Sequence, residues 1–246
     1  MLRTVWYYVV LVVATVIHAT GTLLGALFRV RHRPGRRGIY DWGTSDWARW
    51  VLRGAGTPLV VEGRERIPPG PVVYASNHSS MFDIWALAAA LPGSIRFVAK
   101  QELARIPLLG PAMLAAGHVA IDRTNRSRAM DAYAEAARRI HERGVSTVVF
   151  PEGTRSRTGQ LLPFKNAPFG LAIAAQVPLV PVYVHDTFRI LPKGAWRLRP
   201  RPIRILVGEP IATAGLSMHD RDSLRERAHA AIAALRARVD ASPGVP

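Results

Sequence analysis

The chain contains no cysteine, which excludes disulfides, thiolate metal sites and a cysteine nucleophile. It leaves the compartment open, because a chain without thiols is indifferent to redox conditions. Acidic residues are scarce. Asp and Glu number 17 against 33 Lys and Arg, a formal net charge of +16 that implies an anionic partner: nucleic acid, a phosphorylated ligand or an acidic membrane surface. Interleaved aromatic and basic residues and a helix-turn-helix signature are both missing, so nucleic acid is not the expected partner. No repeat or low-complexity segment is visible, and 246 residues suit one domain with a sizeable core and a short appendage. His18, His32, His118, His141, His185, His219 and His229 form no His-x3-His pair or carboxylate cluster of metal-site type. No metal and no tightly bound cofactor is expected.

Charge is also missing from one long stretch. Val5 to Phe28 holds no Asp, Glu, Lys or Arg, and as a helix it would run roughly 36 Å against a hydrocarbon core of about 30 Å. It is long enough to span a bilayer. A signal peptide would have a shorter apolar region, and a soluble core helix rarely stays apolar on every face. Trp6, Tyr7 and Tyr8 suit an interfacial belt at one end. At the other end come Arg29, Arg31, Arg33, Arg36 and Arg37, a run that normally faces the cytoplasm and anionic lipid. Ser45 to Gly54 places Trp47, Trp50 and Val51 at helical spacing, as a membrane-surface helix or one packed on the domain. Residues 1–56 are thus read as membrane-anchoring helices with a basic linker, and 57–246 as the main folded domain.

From Pro58 onward, apolar runs alternate with helical patterns. Strands are expected at Leu59 to Glu62, Val72 to Ala75, Ile95 to Val98, His118 to Ile121, Thr147 to Phe150, Leu179 to Val184 and Ile203 to Val207. Helices are expected at Ser80 to Leu91, Pro107 to Ala116, Ser127 to Glu142, Pro168 to Gln176 and Arg221 to Val239. The last puts Leu224, Ala228, Ile232, Leu235 and Val239 on one stripe, as a helix packed on a core does. Such alternation predicts an α/β fold, a mixed central sheet flanked by helices.

One junction stands out. Val72 to Ala75 reads as a buried strand, and Asn77-His78-Ser79-Ser80-Met81-Phe82-Asp83 follows it, with Ser79 or Ser80 as the expected helix N-cap. His78 therefore sits at the carboxyl end of a strand, where open α/β sheets bind ligands. On one continuous helix, His78 and Asp83 would lie about 140° apart, too far to touch. If His78 precedes the helix and Asp83 lies in its first turns, the carboxylate can accept the imidazole N–H, giving a general base and its orienter. The same spacing also fits a loop histidine near a helix-start aspartate. No Gly-x-Ser-x-Gly elbow surrounds Ser79 or Ser80, so neither is read as a nucleophile.

Three more motifs follow in order: Gly117-His118-Val119-Ala120-Ile121-Asp122-Arg123, Phe150-Pro151-Glu152-Gly153-Thr154-Arg155-Ser156 and Val177-Pro178-Leu179-Val180-Pro181-Val182. With Asn77-His78-x4-Asp83 and Lys100-Gln101-Glu102-Leu103, the chain from about Glu62 to Pro210 resembles the glycerolipid acyltransferases, the family that includes bacterial 1-acylglycerol-3-phosphate acyltransferases. The resemblance implies His78 as base and Asp83 as the group that fixes its tautomer. It places Arg123 and Arg155 on the acceptor phosphate, where a guanidinium fork forms paired charge-assisted hydrogen bonds. Glu152 would organise the loop or contact glycerol hydroxyls, beside Gly153 and Thr154. Asn77 joins the substrate-binding set, and Lys100 and Lys165 add positive charge, with Arg189 and Lys193 as weaker phosphate candidates. The sequence departs from the family at Phe164-Lys165-Asn166-Ala167, where Phe-Lys-Lys-Gly is common.

The implied reaction moves a fatty acyl group from acyl-CoA or acyl carrier protein, each a substrate, to the sn-2 hydroxyl of lysophosphatidic acid. The product would be phosphatidic acid, made at the cytoplasmic side of the cell membrane, with membrane phospholipid as a further partner. Another lysolipid acceptor, a lyso-ornithine lipid or a glycosylated phosphoinositide, is the alternative within the class. A membrane-tethered basic lipid-binding protein without chemistry is the alternative from another class. The family's two-helix amino-terminal anchor also offers a second placement for Val5 to Phe28, dipping into one leaflet instead of crossing.

Overall fold

The computed structural model describes residues 1–34, 36–122 and 124–241, with residue 126 as backbone alone. Its strands are β1 (Leu59–Glu62), β2 (Val73–Ser76), β3 (Ile95–Lys100), β4 (Val119–Ile121), β5 (Ser146–Val149), β6 (Leu179–His185) and β7 (Ile203–Val207). Its helices are α1 (Leu2–Leu27), α2 (Ile39–Asp41), α3 (Trp47–Ala55), α4 (Phe82–Ala90), α5 (Leu109–Ala115), α6 (Arg126–Arg143), α7 (Ala167–Ala175), α8 (Thr187–Ile190) and α9 (Arg221–Asp240). The strands form one sheet in the order β1-β7-β6-β2-β5-β3-β4. Neighbours run parallel except β6 and β7, so the sheet is mixed, as the alternation of apolar runs predicts.

Strand periodicity divides the core in two. Tyr74 faces a cluster built with α1, α3 and α4, while Val73 and Ala75 face one built with α6, α7 and α9. Helix α4 is apolar on nearly every side because it lies between the sheet and the amino-terminal helices. The expected cap is displaced: α4 begins at Phe82, its N-cap is Met81, and no side chain caps it. Ser80 instead donates its hydroxyl to the Leu191 carbonyl at 2.8 Å while accepting from Phe82 N–H at 3.3 Å.

Helix α1 packs its polar residues inward. Thr4, His18 and Thr22 are buried with Tyr7, Ala14 and Gly25 at spacings of three and four, whereas Val5, Trp6, Val9, Val12, Val13 and Val16 are exposed. A soluble amphipathic helix has the opposite arrangement. Small residues allow the close approach: Gly43, in the π-helical turn Trp42–Asp46 ahead of α3, leaves no room for a Cβ against Thr22. The Tyr7 ring stacks on Phe82 at 5.7 Å and meets the edge of Trp85 at 6.1 Å. Each such aromatic pair adds about 0.5–1.5 kcal/mol beyond area burial. Farther along, Arg96 of β3 reaches Asp41 of α2 at 2.9 Å, both buried, and breaking such a pair costs roughly 3–5 kcal/mol. Helices α1, α2 and α3 therefore pack as a wall of the domain.

The topology also fixes where loops meet. Strand β2 lies between β5 and β6 and is parallel to both, so three carboxyl ends stand side by side. The segments that leave them begin Asn77-His78, Phe150-Pro151 and Asp186-Thr187.

Candidate active site

His78 follows β2 and precedes α4, so the chain reverses between it and Asp83. His78 Nδ1 lies 2.8 Å from Asp83 Oδ2, and Asp83 is fully buried. That oxygen also accepts Ser79 N–H at 2.6 Å and Ser80 N–H at 2.9 Å. A carboxylate surrounded by donors takes the imidazole Nδ1 proton as a hydrogen bond, which leaves the lone pair on Nε2. The His78 ring stacks on Phe150 with centroids 4.0 Å apart, holding its plane.

The turn after β5 locks the His78 backbone. Glu152 Oε1 accepts His78 N–H at 2.9 Å, and Ser156 N–H donates to the His78 carbonyl at 2.8 Å. Glu152 Oε2 accepts Leu162 N–H at 3.3 Å. Burial pushes the Glu152 carboxyl up to about 8, outweighing those two N–H bonds, and the nearby Asp83 charge adds to the rise. Of the two roles expected for Glu152, the structure displays the organisation of the loop. Gly153 has a left-handed φ of 72°, and the end of the Lys165 side chain lies where a Cβ would project, with Cε 2.9 Å away.

Beside His78 lies a cavity of about 460 Å³. Met81, Ile84, Phe97, Ala112 and Met113 give it apolar walls, and α1 contributes Thr15, Ala19 and Thr22. Lys100, Thr154, Arg155 and Lys193 line the same cavity. Lys100, Thr154 and Lys193 are exposed and Arg155 half-buried, so this cationic group marks where the cavity opens. Lys100 lies 2.8 Å from Glu102, and Lys193 donates to Thr154 Oγ1 at 3.4 Å.

At another part of the wall, His118 accepts Phe97 N–H on Nδ1 at 2.9 Å, so its proton sits on Nε2, 3.1 Å from Thr44 Oγ1. Thr44 donates its own hydroxyl hydrogen bond to the Tyr40 carbonyl at 2.9 Å. Burial, with Arg96 and Arg139 adding to it, pushes the His118 pKa down to about 3, so this polar side chain stays uncharged in an apolar wall.

The structure thus brings His78, Asp83, Glu152, Gly153, Thr154, Arg155, Lys100 and Lys165 into one region. Among the expected substrate-binding residues, Asn77, Glu152 and Lys165 do not line the cavity itself, and Asn77 has both ends of its amide engaged elsewhere. Its amide donates to the Val184 carbonyl at 2.9 Å and accepts Val184 N–H at 2.7 Å, clamping β2 to β6. With both amide ends engaged and the residue off the cavity wall, Asn77 holds the sheet together behind His78. Arg123 lies outside the described residues. Thr187, which donates to Asp83 Oδ1, was not among the expected site residues; its signal in the sequence was that it opens Thr187 to Gly194, a stretch that resembles the family.

A family model described as Acyltransferase matches residues 58–185. Among curated proteins, the chain is 35% identical over 175 residues to a 1-acyl-sn-glycerol-3-phosphate acyltransferase of Cocos nucifera, covering 71% of this chain and 56% of that protein. It is 35% identical over 173 residues to the human 1-acyl-sn-glycerol-3-phosphate acyltransferase alpha, covering 70% of this chain and 61% of that one. The match spans a little over half the length of these curated relatives. Among solved structures, the chain resembles the 1-acyl-sn-glycerophosphate (LPA) acyltransferase PlsC of Thermotoga maritima with a TM-score of 0.76 and 26% identity, covering 96% of this chain and 95% of that one.

Proposed function

The chain belongs to the acyltransferase family, and from that premise we propose that it transfers a fatty acyl group from acyl-CoA or acyl carrier protein to the sn-2 hydroxyl of lysophosphatidic acid. The supporting observation is one of adjacency: an oriented His78–Asp83 pair stands where an apolar cavity meets a cationic opening. Nε2 of His78 takes the acceptor hydroxyl proton as the oxygen attacks the thioester carbonyl. The new C–O bond forms, the C–S bond breaks, and the imidazolium returns its proton to the departing thiolate. Asp83 balances the imidazolium charge; a positioned base of this kind contributes about 10²- to 10⁴-fold. The apolar cavity takes the acyl chain. Arg155, with Lys193 and Lys100 around it, takes the acceptor phosphate, and Lys165 adds charge behind Gly153.

The amino-terminal helix lies along one leaflet in this reading. Its inner face is occupied by the domain and its outer face is apolar, as an interfacial helix requires. Arginines flank both ends: Arg29 to Arg37 follow α1, and the segment holding Arg197 and Arg199 is tied to its first turn through Leu198 N–H and Thr4 Oγ1 at 3.3 Å. Both ends then stay cytoplasmic with the catalytic domain. Single cysteines at Leu2 and Gly38 should both resist a membrane-impermeant maleimide until cells are lysed. Labelling at Leu2 alone in intact cells would instead mean a span.

The acyl-transfer reading is tested by incubating membranes that carry the protein with labelled oleoyl-CoA and a panel of lysolipids. Phosphatidic acid should form from lysophosphatidate and vanish with His78→Ala. Product from a lyso-ornithine lipid or a phosphoinositide in its place would move the assignment to that acceptor. Lipid binding with no acyl transfer would support the binding-protein alternative.

A further inference from the structure

The two oxygens of Asp83 are used unequally. Oδ2 collects the His78 ring N–H and two backbone N–H groups, whereas Oδ1 accepts the hydroxyl of Thr187. Thr187 opens α8 just after β6, more than a hundred residues beyond the histidine motif, and like Asp83 it is fully buried. An ionised carboxylate can only accept, so the Thr187 proton is committed to Asp83. The 2.9 Å contact between Ser79 Oγ and Thr187 Oγ1 then runs from Ser79 to Thr187. Hydroxyl and imidazole thus donate to opposite oxygens of one carboxylate, and the network converges on Asp83.

The geometry gives this contact a task. The terminal torsion of an aspartate is broad, so a carboxylate anchored through one oxygen can swing about its Cβ–Cγ bond. A donor on the second oxygen fixes its plane and keeps Oδ2 toward the imidazole. The backbone just before Thr187 is fixed too: Asp186 has a left-handed φ of 67° and lies 3.6 Å from both the Arg189 and Arg201 side chains. We propose that Thr187 is a positioning residue of the acyl-transfer reaction, holding Asp83 in the orientation that keeps His78 in its base-competent tautomer. This rests on the reading of His78 as the general base.

Thr187→Val and Thr187→Ala remove the hydroxyl, and Thr187→Ser keeps it. Val and Ala should each lower kcat roughly tenfold or more, the effect of losing one hydrogen bond to a charged group, with KM for both substrates within about threefold of wild type. Ser should restore kcat to within about threefold. In an Asp83→Asn background, Thr187→Val should cost less than about twofold more, because the two residues act as one unit. Melting temperatures accompany each rate, and Ala is included so that a packing failure of Val does not decide the outcome. Near-wild-type kcat in both Val and Ala, a loss that Ser does not restore, or losses that multiply with Asp83→Asn would overturn the proposal. Wild-type rates in His78→Ala would remove the base itself, whereas an inert His78→Ala beside a fully active Thr187→Val would remove only the role of Thr187.

Discussion

Replacing Asp83 with Asn separates charge from shape at the centre of the site. The amide oxygen can take the place of Oδ2 and accept the same three N–H groups, while the amide NH₂ faces Thr187, whose hydroxyl must turn from donor to acceptor. Ser79 and Thr187 can then share only one hydrogen bond between their hydroxyls, in either direction, so one of the two hydroxyl protons loses its acceptor. An unsatisfied buried polar group costs about 1–3 kcal/mol of stability, so the variant should fold with a lowered melting temperature. Activity should suffer more. Two unit charges about 4 Å apart attract by roughly 4 kcal/mol at an effective dielectric near 20, and the imidazolium formed during transfer loses that partner. Allowing the amide dipole about 1 kcal/mol of compensation leaves about 3 kcal/mol, or roughly 150-fold in kcat. That lies within the 10²- to 10⁴-fold range of a positioned base. Because the chain has no cysteine, the CoA thiol released can be followed with a thiol reagent free of protein background. A kcat within about fivefold of wild type would refute the assignment of Asp83 as the charge that supports His78.

Three further outcomes follow from the same contacts. Arg155→Ala should raise KM for lysophosphatidate about 10- to 150-fold, the worth of a charge-assisted hydrogen bond, with the thioester KM little changed; a rise for the thioester instead would place Arg155 at the CoA end. The folded protein holds the Glu152 proton up to about pH 8 while the unfolded chain releases it near 4.5, so this group's contribution to stability is full below 4.5 and is lost as pH rises toward 8. Melting temperature should decline over that window, and Glu152→Gln should flatten the decline; an unchanged slope would count against the raised carboxyl. Asn77→Ala strips both partners from the Val184 backbone, so urea unfolding should show a loss of roughly 2–6 kcal/mol, and a loss below about 1 kcal/mol would mean that the β2–β6 clamp is dispensable.

Local pattern determined much of this protein by itself. Strands such as Ile203–Val207 are short, mostly apolar runs buried at nearly every position, and α9 carries its Leu224 to Val239 stripe, so both follow from chemistry within a few residues of chain. The Asn77-His78-x4-Asp83 and Phe150 to Ser156 motifs were legible for the same reason: each is contiguous and begins where an apolar strand ends. What needed the tertiary structure was every relation between segments. No local rule tells Asn77 that its amide will meet Val184 or Thr187 that it will face Asp83, because those contacts exist only once β2 and β6 lie side by side. The placement of α1 is the clearest instance. Its composition reads as a span, but composition cannot say which residues will find a partner. Packing turned Thr4 toward Leu198 and His18 and Thr22 toward the cavity and the Trp42–Asp46 turn, and left the valines outside, a choice made by the shape and polarity of the surfaces that α1 meets.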